Sequence, residues 1–341
     1  MMQDSRSRHH IRPRMAERVE VQVLVDNVTD QLSTNPQQVH SELSCLLHAG
    51  MVEWSGEAIC CAHFGLSLVV TAYAEGRAYR VLFDAGPEGY AVERNGRRLG
   101  IQFGSIGAAV LSHGHWDHGG GLPRAAELIR ESGGRRVPLY LHPGVFRRRA
   151  LRLPNGGIVP FKPIPSCDEL SARGTDVQYS SEPRLLPDGL FCLSGEIPRV
   201  TAYERGFPSH LRQREDGAGW DPDPLILDEQ FLAVCVEGKG VVVFTACSHA
   251  GVVNVLTRAH TLFPDMPLYA VMGGLHLSGP GPEQIIPETV RDLSRFGLTM
   301  IIPAHCTGWR AVAALVNAFG EGVVVPSAVG KRYHFSRSDR C

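Results

Sequence analysis

The chain has 341 residues, of which 43% are hydrophobic and 20% are charged, a composition typical of a folded globular protein. Its 34 Lys and Arg residues nearly balance 35 Asp and Glu residues, so the formal net charge of −1 gives no general attraction to nucleic acid or anionic membranes. Nine cysteines, an odd number without a CxxC pair, argue against a disulfide framework, and no apolar run is long enough to span a membrane. We therefore expect a cytoplasmic protein without a nucleic-acid or membrane partner, whose oligomeric state stays open.

The first 18 residues differ in composition from the rest of the chain. They are rich in Arg, Ser and His but lack the apolar central run of a secretory signal. They predict a disordered tail, with a transit peptide as the alternative. Residues 19–341 then form a single domain, in which about residues 131–225 are dense in Pro, Gly and Arg and predict an irregular insertion.

Short β-rich runs alternate with helical patterns on both sides of that insertion. The predicted strands are residues 19–26, 66–74, 80–83, 108–111, 231–236, 240–244, 267–272 and 299–302. The predicted helices are residues 122–130 and 285–296. Residues 237–239 predict a hairpin turn between two of the strands. No fixed-period repeat is visible, and the alternation favours a layered α/β fold.

Four potential metal ligands lie within six residues, just past the strand predicted at 108–111. They are His113, His115, Asp117 and His118, and the small Gly114 separates the first two imidazoles. Imidazole nitrogens and carboxylate oxygens are suitable ligands for zinc, iron or manganese. In an extended segment the first two histidines point to one side, and the turn that follows can direct the other two ligands to a second ion. The motif predicts one or two transition-metal ions, with zinc preferred; the alternative is a solvated His-rich loop.

One loop cannot complete two coordination spheres, so residues distant in the sequence must contribute. Two candidate pairs also follow apolar strands: Cys247 with His249, and His305 with Cys306. Strand ends on one edge of a sheet can meet in space, and we therefore expect these residues near the motif.

With these residues in view, the chain resembles the metallo-β-lactamase superfamily, whose HxHxDH motif appears as HGHWDH at residues 113–118. Further passages resemble a branch of metal-dependent hydrolases that is similar to dihydropterin ribofuranosyl-aminobenzene-phosphate synthase, and they span about residues 20–335. These passages are LVDN (24–27), AHFGLS (62–67), LFDAG (82–86), SGEIPR (194–199), TACSHAG (245–251), GGLHL (273–277) and PAHCTG (303–308).

The resemblance implies an α/β fold of the αββα sandwich type, with two metal-binding halves and a water or hydroxide held at the metals as the nucleophile. It carries the four ligands of the motif over to this chain and makes His305 the late histidine ligand. The stretch FTAC (244–247) stands where many relatives have FTGD, so Cys247 would replace the bridging aspartate and His249 would supply an additional nitrogen. A thiolate there would change the metal preference and the acidity of the water. The alternatives are a small buried cysteine and a core histidine.

Other residues near these motifs have less specific patterns. Asp84 resembles the superfamily's early aspartate and would orient a ligand histidine, or it would cap a turn. His276 follows two glycines and would contact the substrate or donate a proton to a leaving group, with a structural role as the alternative. Glu196 and Arg199 predict an internal ion pair, and Arg199 is also a candidate contact for a substrate anion.

Two further sets of basic residues receive no role in the chemistry. The arginines 147–149 with Arg152 predict a solvated helix face, although a phosphate-bearing substrate could use them. Five histidines without ligand-like spacing are interpreted as structural or surface residues: His63, His142, His210, His260 and His334.

Together these observations predict a metal-dependent hydrolase that acts on an ester, lactone or phosphoester of a small molecule. Asp117 would bind one metal and orient the water, and His276 would act beside it. One alternative is a synthase that condenses a pterin with an aminobenzene-ribosyl phosphate, as the resemblance implies. Another is a metal-holding ligand sensor without turnover. A redox di-iron enzyme is disfavoured, because the remaining chain has no room for a flavin-binding domain.

Overall fold

The computed structural model describes residues 11–337. Its strands are β1 (Arg18–Val25), β2 (Val39–His40), β3 (Ser67–Ala74), β4 (Arg77–Phe83), β5 (Ile106–Val110), β6 (Val137–Leu141), β7 (Arg149–Arg152), β8 (Ile158–Pro160), β9 (Thr175–Tyr179), β10 (Arg184–Leu185), β11 (Phe191–Leu193), β12 (His210–Gln213), β13 (Trp220–Pro222), β14 (Leu232–Val236), β15 (Gly240–Thr245), β16 (Leu268–Gly274), β17 (Met300–Ala304) and β18 (Arg332–Ser336). Its α-helices are α1 (Glu42–His48), α2 (Gly89–Arg98), α3 (Trp116–Gly119), α4 (Leu122–Gly133), α5 (Cys167–Arg173), α6 (Val252–Leu262), α7 (Ile286–Leu293) and α8 (Trp309–Phe319).

The strands form two large sheets and one small one. The first sheet has the order β2-β18-β1-β3-β4-β5-β6-β9, and the second has the order β10-β11-β14-β15-β16-β17. A third sheet of four short strands has the order β13-β12-β7-β8. The two large sheets pack face to face, and helices cover their outer faces, so the layers follow the expected αββα order.

Alternate residues of a single strand contribute to different layers of the core. In β15, Val242 and Phe244 belong to the apolar layer between the two large sheets, whereas Val241 and Val243 belong to the outer layer that contains α6. Successive side chains of a strand point to opposite faces, so a strand covered on both faces needs apolar residues throughout. The apolar run of β15 is continuous because both faces of this strand are covered.

Parallel pairing brings the chemically important loops to one edge of each large sheet. In the second sheet β15, β16 and β17 are mutually parallel, so the residues that follow Thr245, Gly274 and Ala304 emerge at the same edge. In the first sheet β4 and β5 are parallel, with Phe83 paired to Val110. The carboxyl ends of parallel strands are where ligands bind in open α/β sheets.

The structure confirms the predicted strands and both predicted helices, with small shifts in their ends. The hairpin is also confirmed, because β14 and β15 pair antiparallel across residues 237–239. Within residues 11–337 no helix is both long and apolar enough to cross a membrane.

Two sequence predictions need correction. Residues 11–18 were expected in a disordered tail, but Ile11 donates a backbone hydrogen bond to Leu262 and Ala16 forms a parallel bridge with Val236. Residues 1–10, on which the rest of that prediction falls, lie outside the described residues. The region 131–225 is not an irregular insertion, since it supplies strands to all three sheets. Its strands are short and separated by Pro and Gly turns, so they show little periodicity.

Candidate metal centre

The first group of candidate ligands is built from the loop after β5 and the loop after β15. His113 Nε2 lies 3.1 Å from His115 Nδ1 and 3.2 Å from His249 Nε2. His113, His249 and Cys247 each offer a ligand atom within 4.8 Å of the other two. All four side chains are buried. Two imidazole nitrogens and a sulfur therefore converge, and His115 Nδ1 lies beside them next to His113.

The second group lies beside the first and shares Cys247 with it. His118, Cys247 and His305 offer ligand atoms that all lie within 4.8 Å of one another, and Cys247 Sγ is 3.2 Å from His118 Nε2. Asp117 Oδ2 is 3.5 Å from His118 Nε2 and 3.2 Å from His305 Nε2. The structure thus brings together every residue predicted as a ligand, and it places Cys247 between the two groups.

In three of these histidines, a neighbouring residue holds the ring nitrogen that faces away from the donor group. Asp84 lies at the centre of this arrangement, because its carboxylate accepts from the Ser112 amide, the Ser112 hydroxyl and His118 Nδ1, each at 2.7 Å. The Ser112 hydroxyl in turn lies 2.9 Å from His113 Nδ1. His305 Nδ1 lies 3.0 Å from Asn27 Oδ1. Such outer partners orient an imidazole and hold its other nitrogen free for a cation.

The backbone at these strand ends adopts an uncommon conformation. Asp84, Ser248, His276 and His305 have φ between +45° and +57°, the left-handed region that residues other than glycine rarely enter. Residues held this way cluster at functional sites, where the surrounding structure fixes them. At the end of each strand this turn redirects the chain, so that the side chains converge.

The loop that carries the motif is held by an ion pair outside the ligand groups. The Gly114 amide donates to Asp228 Oδ2 at 2.9 Å, and the buried Arg149 guanidinium pairs with the other oxygen of Asp228. A Cβ on Gly114 would lie 2.0 Å from the Val145 carbonyl oxygen, so only glycine fits here. Arg149 lies on β7, which corrects the prediction of a solvated helix face for that arginine.

The electrostatics differ between the two groups. Burial, followed by neighbouring charges, lowers the pKa values of His113, His115 and His249 well below the usual range, which favours the neutral form of these imidazoles. Burial also acts to lower the pKa of His118, but the carboxylates of Asp117 and Asp84 outweigh it and raise that pKa to about 10. Neutral imidazoles are the form that binds a cation, and a cation at the second group would replace the proton of His118.

The residues present fit a metal pair. His305 Nε2 is buried and faces the second group, where Asp117 Oδ2 lies 3.2 Å away without the geometry of a hydrogen bond. Imidazole, carboxylate and thiolate together are typical zinc ligands and also serve other transition metals. Burial raises the pKa of the Cys247 thiol, so its use as a ligand requires that a cation displace the proton.

A cavity of about 290 Å³ adjoins the first group, and its walls include His249 and His276. The His276 ring lies 4.5 Å from the His249 ring and 5.1 Å from Phe207, measured between ring centroids. Neither ring nitrogen of His276 has a hydrogen-bond partner among the described residues. His276 is therefore placed where its ring nitrogens could form hydrogen bonds with a substrate.

Glu196 and Arg199 have different hydrogen-bond partners. Glu196 pairs with His142 at 3.1 Å, so the predicted ion pair with Arg199 is wrong. The Arg199 guanidinium instead donates to the backbone carbonyls of Ile197 and Leu225. The structure does not bring Arg199 together with the ligand groups, and its role toward a substrate anion stays a prediction.

Sequence reasoning missed His210, which it interpreted as structural or surface. Its Nε2 lies 3.0 Å from His115 Nε2, and the residue is fully buried. No other candidate ligand is near His210 in the sequence, and the strand β12 that it begins is short. Its position just past Phe207 in a Pro- and Gly-rich stretch gave no ligand-like spacing.

Comparison with solved structures identifies this architecture. The structure of Tm1679, described as a metal-dependent hydrolase of the β-lactamase superfamily, superposes with a TM-score of 0.68 and 21% identity, over 93% of this chain and 99% of that one. A family profile described as a beta-lactamase superfamily domain matches residues 79–167, which contain the motif. The fold is that of the metallo-β-lactamase superfamily. The expected fold and the resemblance to this superfamily are thus confirmed.

Two other proteins extend the comparison. The 7,8-dihydropterin-6-methyl-4-(β-D-ribofuranosyl)-aminobenzene-5'-phosphate synthase of Methanocaldococcus jannaschii is 29% identical over 259 residues, which are 75% of this chain and 85% of that protein. Unliganded yeast PDE1 superposes with a TM-score of 0.51 and 10% identity, over 94% of this chain and all of that one. A metallo-β-lactamase fold implies bound metal ions, and the two donor groups are suited to hold them.

Proposed function

We propose that this chain is a metal-dependent hydrolase that acts on an ester, lactone or phosphoester of a small molecule. One observation carries the proposal: two buried donor groups share Cys247, and a cavity of about 290 Å³ lies against one of them. Zinc suits this donor set best, with iron or manganese as alternatives. Metal ions held there would polarise the electrophilic oxygen of the substrate and lower the pKa of an attacking water from about 15.7 toward 7.

The side chains of the donor groups would have different roles in holding the ions and orienting the water. His113, His115 and His249 would hold one ion, and Asp117, His118 and His305 the other, with Cys247 between them. The second oxygen of Asp117 can accept a hydrogen bond from the attacking water and orient it. Both ions would be fixed from outside by Asp84, which accepts three hydrogen bonds from residues of the motif loop.

His276 is the candidate for proton transfer to the leaving group. It lines the cavity, and both of its ring nitrogens are free of protein partners among the described residues. A general acid must come within hydrogen-bonding reach of the leaving atom, and groups of this kind contribute typically about 10²–10⁴-fold to a rate. His276 would thus act on the leaving group while Asp117 positions the water.

The test begins with elemental analysis of the purified protein and continues with that metal on a panel of aryl esters, lactones and phosphodiesters. We expect hydrolysis that depends on the metal and falls at least about 100-fold in Asp117→Asn. Asp168→Asn, at an exposed aspartate on α5, is the matched control and should keep full activity. A metal-loaded protein that is inert on the whole panel would contradict a hydrolase and favour a ligand sensor without turnover.

A synthase that condenses a pterin with an aminobenzene-ribosyl phosphate is the second candidate. It is supported by the 29% identity to the M. jannaschii protein. A substrate pair of that size needs a cleft with a phosphate contact, whereas the cavity here lies near the lower end of the roughly 300–1,000 Å³ of ligand sites. Incubation of the metal-loaded protein with both synthase substrates, followed by mass spectrometry of the products, separates the two functions. Formation of the condensed product would favour the synthase.

A further inference from the structure

His115 and His210 form a contact between two imidazoles that belong to different parts of the fold. His115 lies in the motif loop after β5, and His210 begins β12 of the third sheet, 95 residues later. Their Nε2 atoms are 3.0 Å apart, and both side chains are buried. On its other side, His210 Nδ1 lies 2.8 Å from the carbonyl oxygen of Asp223.

This chain of contacts determines which ring nitrogen carries the proton. A carbonyl oxygen only accepts, so the Asp223 carbonyl requires the proton of neutral His210 to be on Nδ1. Nε2 of His210 then has a lone pair and accepts, so the proton of His115 must be on its Nε2. Nδ1 of His115 is left with its lone pair, and that nitrogen lies 3.1 Å from His113 Nε2 within the first donor group.

Two other candidate ligand histidines also have an outer partner on the ring nitrogen that faces away from the donor group. Asp84 holds Nδ1 of His118, and Ser112 holds Nδ1 of His113, so in each case the opposite nitrogen faces the donor group. His115 differs because it presents Nδ1 to the group and therefore needs its partner on Nε2. His210 stands at that position.

The third sheet also holds the same loop at a second point. β7 pairs with β12, and Arg149 on β7 pairs with Asp228, whose other oxygen accepts from the amide next to His115. The short strands of the third sheet therefore hold both the backbone and the imidazole of the motif in place.

We propose that His210 is a positioning residue that fixes the tautomer and orientation of His115 and so completes the first metal group from the third sheet. The inference rests on the metal centre proposed above. Loss of an outer partner of this kind typically costs about 10–100-fold in metal affinity. The cost should fall on the first group, because His210 touches none of the ligands of the second.

The first measurement uses nitrogen-15 NMR of histidine-labelled wild-type protein without metal. We expect His115 with its proton on Nε2 and His210 with its proton on Nδ1. The opposite pair of tautomers would overturn the inference without any mutation. Since this reading needs no bound metal, it is independent of the hydrolase proposal.

The second measurement is zinc titration of three variants. In His210→Leu, the zinc affinity of one of the two sites should fall by about 10–100-fold. The affinity of the other site should stay unchanged. His210→Gln, whose amide oxygen can accept from His115 Nε2, should recover most of that affinity. His334→Leu, at a histidine on β18, is the control for loss of an imidazole elsewhere and should bind zinc as the wild type does.

The outcomes separate the inference from the proposed function. Two wild-type sites with unchanged affinity in His210→Leu would overturn the role of His210 and leave the metal centre standing. Equal losses in the Leu and Gln variants would show that His210 acts by packing or as a ligand, and would also overturn it. A wild-type protein that binds no metal at all would overturn both.

Discussion

At the scale of single residues, Cys247 is the position where this centre departs most from the expected superfamily pattern. Its sulfur lies 3.2 Å from His118 Nε2 and 3.5 Å from Cys306 Sγ, and it belongs to both donor groups. A carboxylate bridges two ions through two hard oxygens, whereas a thiolate offers a single soft sulfur. As a ligand, Cys247 would therefore affect which metals the centre prefers.

Replacement of Cys247 by Asp should shift metal preference toward harder ions such as manganese, because an oxygen donor replaces sulfur between the two groups. Cys247→Ala should weaken metal binding for both ions, since no donor remains there. Competition binding with zinc and manganese measures the ranking. Cys306→Ala, at the neighbouring thiol, is the control and should keep the zinc preference. An unchanged ranking in Cys247→Asp, with only a loss of thermal stability, would make Cys247 a core residue.

At the scale of elements, the third sheet supports the motif loop through a buried ion pair. The side chains of Arg149 and Asp228 are 1% and 5% exposed, so neither charge is solvated by water. Removing one partner of such a pair leaves an uncompensated charge and typically costs about 3–5 kcal/mol. This small sheet thus helps to fix the geometry of the motif loop.

Arg149→Met should lower the free energy of unfolding by about 3–5 kcal/mol, because it leaves the Asp228 carboxylate buried and unpaired. The double variant Arg149→Met with Asp228→Asn should be clearly more stable than the sum of the single variants predicts. Urea unfolding in the presence of a chelator measures this energy without a contribution from bound metal. Additive single losses would mean that the two charges are not coupled.

A second link between elements joins α2 to α4 on the outer face of the first sheet. Glu93 accepts from both sides of the Arg124 guanidinium, at 2.8 and 2.9 Å, and also from Arg97. Hydrogen bonds from Arg124 and Arg97 lower the pKa of Glu93 to about 2. Because the folded pKa lies below the ordinary value near 4.5, the stabilisation is present above that pH and is lost as the pH falls toward 2.

Glu93→Gln should therefore lower the free energy of unfolding at pH 7 by about 0.5–1 kcal/mol, a modest value because solvent screens the pair. The difference between wild type and variant should shrink at pH 3. Chemical unfolding at the two pH values, each with its own wild-type reference, measures it. Glu53→Gln, at an exposed glutamate outside these two helices, is the control and should have a smaller effect. A difference that grows at pH 3 would contradict the assigned direction.

At the scale of the whole molecule, the metal centre lies where the two halves of the sandwich meet. His113 and His118 follow a strand of the first sheet, whereas Cys247, His249 and His305 follow strands of the second. Ions bound there would connect the two layers. Binding to the folded state alone stabilises it by mass action, by about 2.7 kcal/mol at a free metal concentration 100 times the dissociation constant.

Treatment with a chelator should consequently lower the melting temperature of the whole protein in one cooperative step, and added zinc should restore it. Differential scanning calorimetry measures both changes. In His305→Ala the effect of the chelator should be smaller, because one of the ligands is missing. His260→Ala, at a histidine on α6 away from the centre, should respond as the wild type does. No change of melting temperature with chelator would contradict metal binding between the layers.

The sequence by itself determined the features that depend on neighbouring residues. Apolar runs bounded by polar or glycine residues located the main strands, and the spacing of His113, His115, Asp117 and His118 indicated a metal motif at a strand end. The candidates near residues 247 and 305 followed from the same rule, because both come directly after apolar strands. These patterns are local, and backbone geometry converts them into structure without knowledge of distant contacts.

Only the tertiary structure decided which distant side chains face one another. His210, Arg149 and Asp228 have no local pattern that sets them apart. The third sheet brings His210 and Arg149 to the motif loop through the pairing of strands about 60 residues apart, and Arg149 pairs there with Asp228. The Glu196–Arg199 prediction was wrong for the same reason, since proximity in sequence does not fix the direction of a side chain in a loop. That Cys247 lies between two donor groups depends on the packing of two sheets, and sequence spacing does not encode the distance between layers.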